Sequence, residues 1–179
     1  AEMLFPEEVA LARKMRSSAD LRSPHEWYPE ARKLKRKVVF HAGPTNSGKT
    51  YHALQALRGA AHGVYAGPLR LLALEVYETL NGMGVIANLL TGQERSVMPF
   101  ASHLACTVEM APVEDELDVA VLDEVQLLAD PQRGWAWTRA YLGMATRELH
   151  VCGEAAALTA VQALADMCGD TLEVRHYER

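Results

Sequence analysis

The sequence predicts an α/β domain: a mainly parallel sheet with helices on both faces. Three observations predict it. From Val38 onward, strand-like apolar runs alternate with helix-periodic segments, the pattern of a parallel sheet whose crossovers are helices. The run Gly43-Pro44-Thr45-Asn46-Ser47-Gly48-Lys49-Thr50 fits G-x-x-x-x-G-K-[ST] between the first apolar run and the first helical segment. VAVLDEVQ at 119–126 ends an apolar run in two carboxylates, at the strand end where open α/β sheets bind ligands.

Each element has its own warrant. Residues 1–37 hold no strand-like run, contain Pro6, Pro24 and Pro29, and close on the basic cluster RKLKRK at 32–37. They read as a partly helical N-terminal flank, the cluster as solvated charge, and 38–179 as the sheet domain. VVFHA (38–42) is the first buried strand. The next helix aligns Ala53, Leu54, Leu57 and Ala61. GVYAG (63–67) is the second strand, and a helix from about Pro68 aligns Leu69, Leu72, Ala73, Val76 and Leu80. VIANLL (85–90), LACTV (104–108) and DVAVLD (118–123) are strand candidates, and the acidic stretch APVEDEL (111–117) reads as a solvated connection. GWAWTRAYLGMA (134–145) is apolar on most helical faces, which predicts burial, with Trp135 and Trp137 both packed in the core. ELHVCG (148–153), a helix aligning Leu158, Val161, Leu164 and Cys168, and the strand LEVRHY (172–177) complete the chain.

Composition narrows the class. A chain of 179 residues supports one well-cored domain with a short appendage. The net charge of −5 announces no nucleic-acid binder, so any such contact has to be local. Three cysteines far apart, with no C-x-x-C, argue against a disulfide framework and a structural zinc site, and fit a reducing compartment. Cys152 and Cys168 read as small core hydrophobes. No apolar run is long enough to span a membrane. The start AEMLFPEEVA is acidic and unlike a signal or transit peptide.

The two motifs have complementary chemistry. Gly43 and Gly48 let the backbone curl so that successive N–H groups face inward, an anion nest at a helix N-terminus. Lys49 is placed to reach the β- and γ-phosphates, and Thr50 to offer its hydroxyl to Mg²⁺. Asp123 is the second candidate Mg²⁺ ligand, and Glu124 the base that orients and deprotonates a water. Together they indicate a nucleoside-triphosphate enzyme using Mg²⁺, without saying which kind.

GPTNSGKTYHAL, AGPLRLLALEVYE, TGQE, CTVEM, DEVQ, RGWAWTRAYLG and HVCGEAAA stand in one order. This ordered set resembles the mitochondrial degradosome RNA helicases of the Suv-three type, DExH-like members of superfamily two, from about residue 20 to the C-terminus. The resemblance implies a RecA-like P-loop NTPase lobe, the first of two, that uses ATP and Mg²⁺ to unwind RNA during mitochondrial RNA degradation and surveillance. It implies RNA contacts at Pro68, Arg70, Thr91, Gly92 and Thr107. Gln126 stands where D-E-x-H has histidine, and would link the catalytic carboxylate to Gly153-Glu154-Ala155. That triplet departs from the usual S-A-T, so its hydroxyl coupling of ATP state to RNA grip is in question.

The resemblance further implies a location in the mitochondrial matrix, a second RecA-like lobe carrying the arginine fingers, and an exoribonuclease partner. The chain ends near the expected lobe junction and reads as an isolated domain or fragment, nearly inactive alone. Two other readings share the motifs. Type II thymidine kinases pair a similar loop with D-E-x-Q but carry C-x-x-C pairs absent here. A non-catalytic nucleotide-binding module is the other.

Overall fold

The computed structural model describes residues 22–178; the rest of the predicted flank, Pro6 included, lies outside them. The elements are α1 (Pro29–Lys33), β1 (Lys37–Ala42), α2 (Lys49–Gly59), β2 (Gly63–Gly67), α3 (Arg70–Gly82), β3 (Ala87–Leu90), β4 (Arg95–Ser96), β5 (His103–Thr107), β6 (Glu116–Leu122), α4 (Gly134–Gly143), β7 (Ala145–Gly153), α5 (Leu158–Cys168) and β8 (Thr171–His176). The strands form one sheet in the order β4-β3-β5-β2-β6-β7-β1-β8. Every pairing is parallel except β3 with β4.

Strand alternation divides the core between two faces. Val38, Phe40, Ala120, Leu122, Leu149 and Val151 join Trp137, Ala140 and Val161 of α4 and α5 in one buried cluster. The intervening positions Tyr65, Ala105, Val121 and Cys152 join Ala53 and Leu57 of α2 and Ala73, Val76 and Leu80 of α3 in the other. Central strands buried on both faces explain why their sequences read as continuous apolar runs. The expected α/β fold with helices on both faces is the observed one.

Several local expectations need correction. The basic run is not uniformly solvated. Lys33, Lys35 and Lys37 are exposed, but Arg36 is fully buried. Its guanidinium forks onto the Asp170 carboxylate at 3.0 and 2.6 Å and donates to the carbonyls of Tyr141 and Met144. Arg32 likewise donates to the Leu142 and Cys168 carbonyls. These arginines tie the segment before β1 to the ends of α4 and α5; a charge run carries no local sign of such partners. The expected burial of this helix is the observed one, and Trp137 is fully buried, but Trp135 is 58% exposed, the one exposed position of α4. Leu69 caps α3 in extended conformation and is exposed. Ala61 falls beyond the end of α2. The connection 111–117 is exposed at Glu114–Glu116 but buries Ala111 and Leu117. Cys152 is fully buried and Cys168 half-buried. The two-residue β4 is too short to give any periodic signal in the sequence.

Candidate nucleotide and RNA site

The phosphate-loop candidate joins β1 to α2. Asn46 and Gly48 adopt left-handed backbone, with φ of 61° and 81°, which turns consecutive N–H groups toward one centre. Gly43 is required for space: a Cβ there would lie 2.8 Å from both the Ser47 hydroxyl and the Tyr177 Cβ. Its N–H donates to the Gly153 carbonyl at 3.0 Å, fastening the loop to β7. Lys49 is nearly buried and its ammonium donates to the Pro44 carbonyl at 3.2 Å, inside its own loop. The Ser47 hydroxyl is buried without a hydrogen-bond partner. A loop holding an inward ammonium and an orphaned hydroxyl has the donor set that a triphosphate satisfies.

The carboxylates arrive from β6. Its apolar run is buried, so Asp123 falls at the strand's C-terminal end beside the loop. Asp123 accepts from the Thr50 hydroxyl at 3.4 Å on one oxygen and from the Tyr65 hydroxyl at 3.0 Å on the other. Burial first, and the neighbouring Glu124 charge second, raise the Asp123 carboxyl above its ordinary range. A divalent cation would relieve both penalties, and the Thr50–Asp123 oxygen pair fits Mg²⁺ chemistry. Glu124 sits in left-handed backbone with φ of 53°, a conformation that costs a non-glycine residue roughly 1–3 kcal/mol. That geometry turns its carboxylate toward Lys49, 3.9 Å away. Gln126 donates to Glu124 and accepts from the Glu154 N–H at 3.3 Å. The expected link from Gln126 to the Gly153-Glu154-Ala155 segment is therefore present in the geometry.

The RNA candidates lie along the same edge of the sheet. Parallel strands β3, β5, β2 and β6 are neighbours in that order. Their C-terminal ends thus set Thr91-Gly92, Thr107, Pro68 with Arg70, and Asp123 in one row. Arg70 donates to the Gln93 side chain at 2.9 Å and approaches Glu94 at 3.5 Å, tying two of these loops. The Thr91 hydroxyl accepts from the N–H groups of Gln93 and Glu94 at 3.3 and 3.0 Å and is nearly buried. Thr91 thus shapes its turn; the exposed groups there are Gly92 and Gln93. Nothing lies near a Cβ placed on Gly92, so space alone does not require glycine. Thr107 is half-exposed.

Sequence reasoning missed several side-chain contacts. The Tyr65 hydroxyl on Asp123 depends on β2 lying beside β6. The Trp137 indole donates to the Asp123 carbonyl at 2.9 Å, whereas the residue was read only as packing. His41 and His150 meet across β1 and β7 at 2.8 Å, with the Tyr177 hydroxyl on His41 and Glu148 on His150, each at 2.8 Å. Most of these contacts join segments far apart in the chain, which no sequence spacing announces.

The fold and the loop between β1 and α2 together define a RecA-like P-loop lobe. The chain belongs to the family described as the DEXQ-box helicase domain of Suv3, whose family model matches residues 24–177. It is 53% identical over its whole length to the human mitochondrial ATP-dependent RNA helicase SUPV3L1, covering 23% of that protein. It is 54% identical to the Drosophila pseudoobscura mitochondrial ATP-dependent RNA helicase SUV3 homolog, covering 24%. With the Arabidopsis thaliana mitochondrial helicase DExH18 it shares 50% over 98% of its length, 23% of that protein. The chain thus spans about a quarter of the curated relatives it matches. Among solved structures, the C-terminal domain of the DEAD-box protein Dbp5 aligns at a TM-score of 0.55 and 14% identity, over 82% of this chain and 92% of that one. Dbp5 of S. cerevisiae bound to RNA and ADP BeF3 aligns at 0.54 and 14% identity, over 87% and 44%. These two speak to fold alone. The helicase family displaces the thymidine kinase reading.

Proposed function

We propose that this chain is the ATP-binding lobe of an ATP-dependent RNA helicase acting in mitochondrial RNA turnover. The observation that carries the reading is the convergence of Lys49, Thr50, Asp123, Glu124 and Gln126 at the sheet edge, through the Lys49–Glu124 ion pair and hydrogen bonds among the others. Gly43 to Thr50 would wrap the phosphates. Lys49 would leave the Pro44 carbonyl for the β- and γ-phosphates, and the Ser47 hydroxyl would gain the partner it lacks. Thr50 and Asp123 would hold Mg²⁺, which when bound neutralises charge developing on the phosphates. Glu124 would orient the attacking water and take its proton, held in place by Gln126.

Single-stranded RNA would cross Pro68, Arg70, Gly92 and Thr107, loops that share strands with the nucleotide site, with Thr91 holding its turn in shape. We assign residues 1–37 to a flank and 38–179 to the lobe. Relatives about four times as long support a second RecA-like lobe in the same enzyme to supply the arginine fingers. The relatives' names support mitochondria as the location. The matrix as compartment and an exoribonuclease as partner come from the resemblance alone and are part of the same proposal.

The test is kinetic, in the full-length protein. Lys49→Ala should abolish RNA-stimulated ATP hydrolysis. Glu124→Gln should still bind ATP but hydrolyse it at least about 100-fold more slowly, the low end of what a positioned general base contributes. Hydrolysis by Glu124→Gln at the parent rate would remove Glu124 from the base role.

A further inference from the structure

A single arginine outside the motifs joins the RNA-facing loops to the carboxylate strand. Arg133 stands at the N-terminus of α4, where the Asp130 carboxylate accepts from its N–H at 2.8 Å. Its guanidinium reaches in three directions. It donates to the Pro68 carbonyl at 2.8 Å, in the loop that carries Arg70. It pairs with the Glu109 carboxylate at 2.9 Å from Nε and 2.8 Å from Nη2, two residues beyond Thr107. And it lies 5.3 Å from the ring centre of Trp137, one helical turn along α4. Trp137 is fully buried and its indole N–H holds the Asp123 carbonyl. One planar side chain therefore touches both candidate RNA loops and the residue that fixes the backbone of the candidate metal ligand.

The mechanical connection is stiff. A Cβ on Gly134 would come within 2.3 Å of the Leu128 carbonyl oxygen, so α4 rests directly on the turn that follows Glu124. Arg139 adds a second tie, donating to the Ala111 carbonyl at 2.9 Å. A displacement of Pro68 or Glu109 would therefore push on α4, and α4 is hydrogen-bonded to Asp123. Close packing transmits such displacements because interiors do not deform freely.

We propose that Arg133 is a positioning residue that couples RNA occupancy of the Pro68 and Thr107 loops to the Asp123–Glu124 pair. The contacts of its side chain are to Pro68, Glu109 and Trp137, and through them it sets the relative position of the groups placed at ATP and RNA. The inference rests on the helicase reading and deepens it by naming how the same site is regulated. Lysine cannot replace the contact set, because it lacks both the planar fork and the flat face that stacks on indole.

The experiment uses the full-length protein and single-stranded oligouridine. ATPase is measured with and without RNA, and RNA affinity with and without a non-hydrolysable ATP analogue. Arg133→Gln should leave RNA-free turnover, the KM for ATP and the melting temperature close to the parent. RNA stimulation should fall about tenfold, within the 5- to 150-fold typical of coupling between sites. The analogue's effect on RNA affinity should shrink as well, and by linkage RNA's effect on the analogue's affinity should shrink by the same factor, a readout that a merely structural role would not move. Arg133→Lys should recover only part of the stimulation. Glu109→Gln, which cuts one arm, should lose less, and adding it to Arg133→Gln should lose nothing more. Parent-like stimulation in Arg133→Gln overturns the assignment. So does a matching loss of RNA-free turnover and melting temperature. If the parent shows no RNA stimulation at all, the helicase reading falls and this inference with it.

Discussion

The buried histidine pair makes stability depend on pH in a window where few other groups titrate. His41 is fully buried. Its bonds fit one proton arrangement with both rings neutral: Tyr177 O–H donates to His41 Nδ1, His41 Nε2–H to His150 Nδ1, and His150 Nε2–H to the Glu148 carboxylate. Burial first, and then the nearby His150 and Arg175, lower the pKa of His41 from 6.5 to about 4. Burial lowers that of His150 as well. The unfolded chain therefore binds the His41 proton at a pH where the folded chain does not. Stability is fully present above 6.5 and falls as pH drops toward 4. Binding that proton in the unfolded state alone lowers stability by about 2 kcal/mol between pH 7 and pH 5. Asp123, whose carboxyl burial raises, works in the opposite sense, so a variant is needed to isolate the histidine. Urea denaturation followed by tryptophan fluorescence at pH 7 and pH 5 measures the parent's fall. His41→Gln, which cannot titrate, should shrink that fall by about 2 kcal/mol whatever its own stability. An unchanged fall in His41→Gln would show that the ring is not held neutral by its surroundings, and would refute the proton assignment.

Two further perturbations test the packing. Asp170→Ala leaves the fully buried Arg36 guanidinium without its carboxylate, and breaking a buried pair from one side costs about 3–5 kcal/mol; a loss under 1 kcal/mol in urea denaturation would mean that water reaches the site. Gly134→Ala drives a methyl into the Leu128 carbonyl, and overpacking of this kind costs about 1–3 kcal/mol. Its unfolding midpoint should fall at a constant denaturant slope, and a midpoint equal to the parent's would show that α4 can slide away from the turn.

Much of this protein is determined by its sequence alone. Apolar runs at 38–42, 63–67 and 118–123 become β1, β2 and β6, because strands buried on both faces need uninterrupted apolar sequence. The phosphate loop and DEVQ are legible for a related reason. Their chemistry needs fixed residue types a few positions apart, so local spacing carries the information. What only the tertiary structure decides is which distant segments meet. Arg36 and Asp170 are 134 residues apart, and His41 and His150 are 109 apart; both pairs exist because β1 enters the sheet between β7 and β8. Arg133 reaches Pro68 across 65 residues because β2 lies between β5 and β6. Exposure of Trp135 and burial of Trp137 likewise follow from which positions of α4 its packing partners cover. Local pattern fixes an element's type and the end at which its chemistry sits. Strand order fixes its neighbours, and hydrogen bonds made by a single arginine or histidine leave no periodic trace in the chain that makes them.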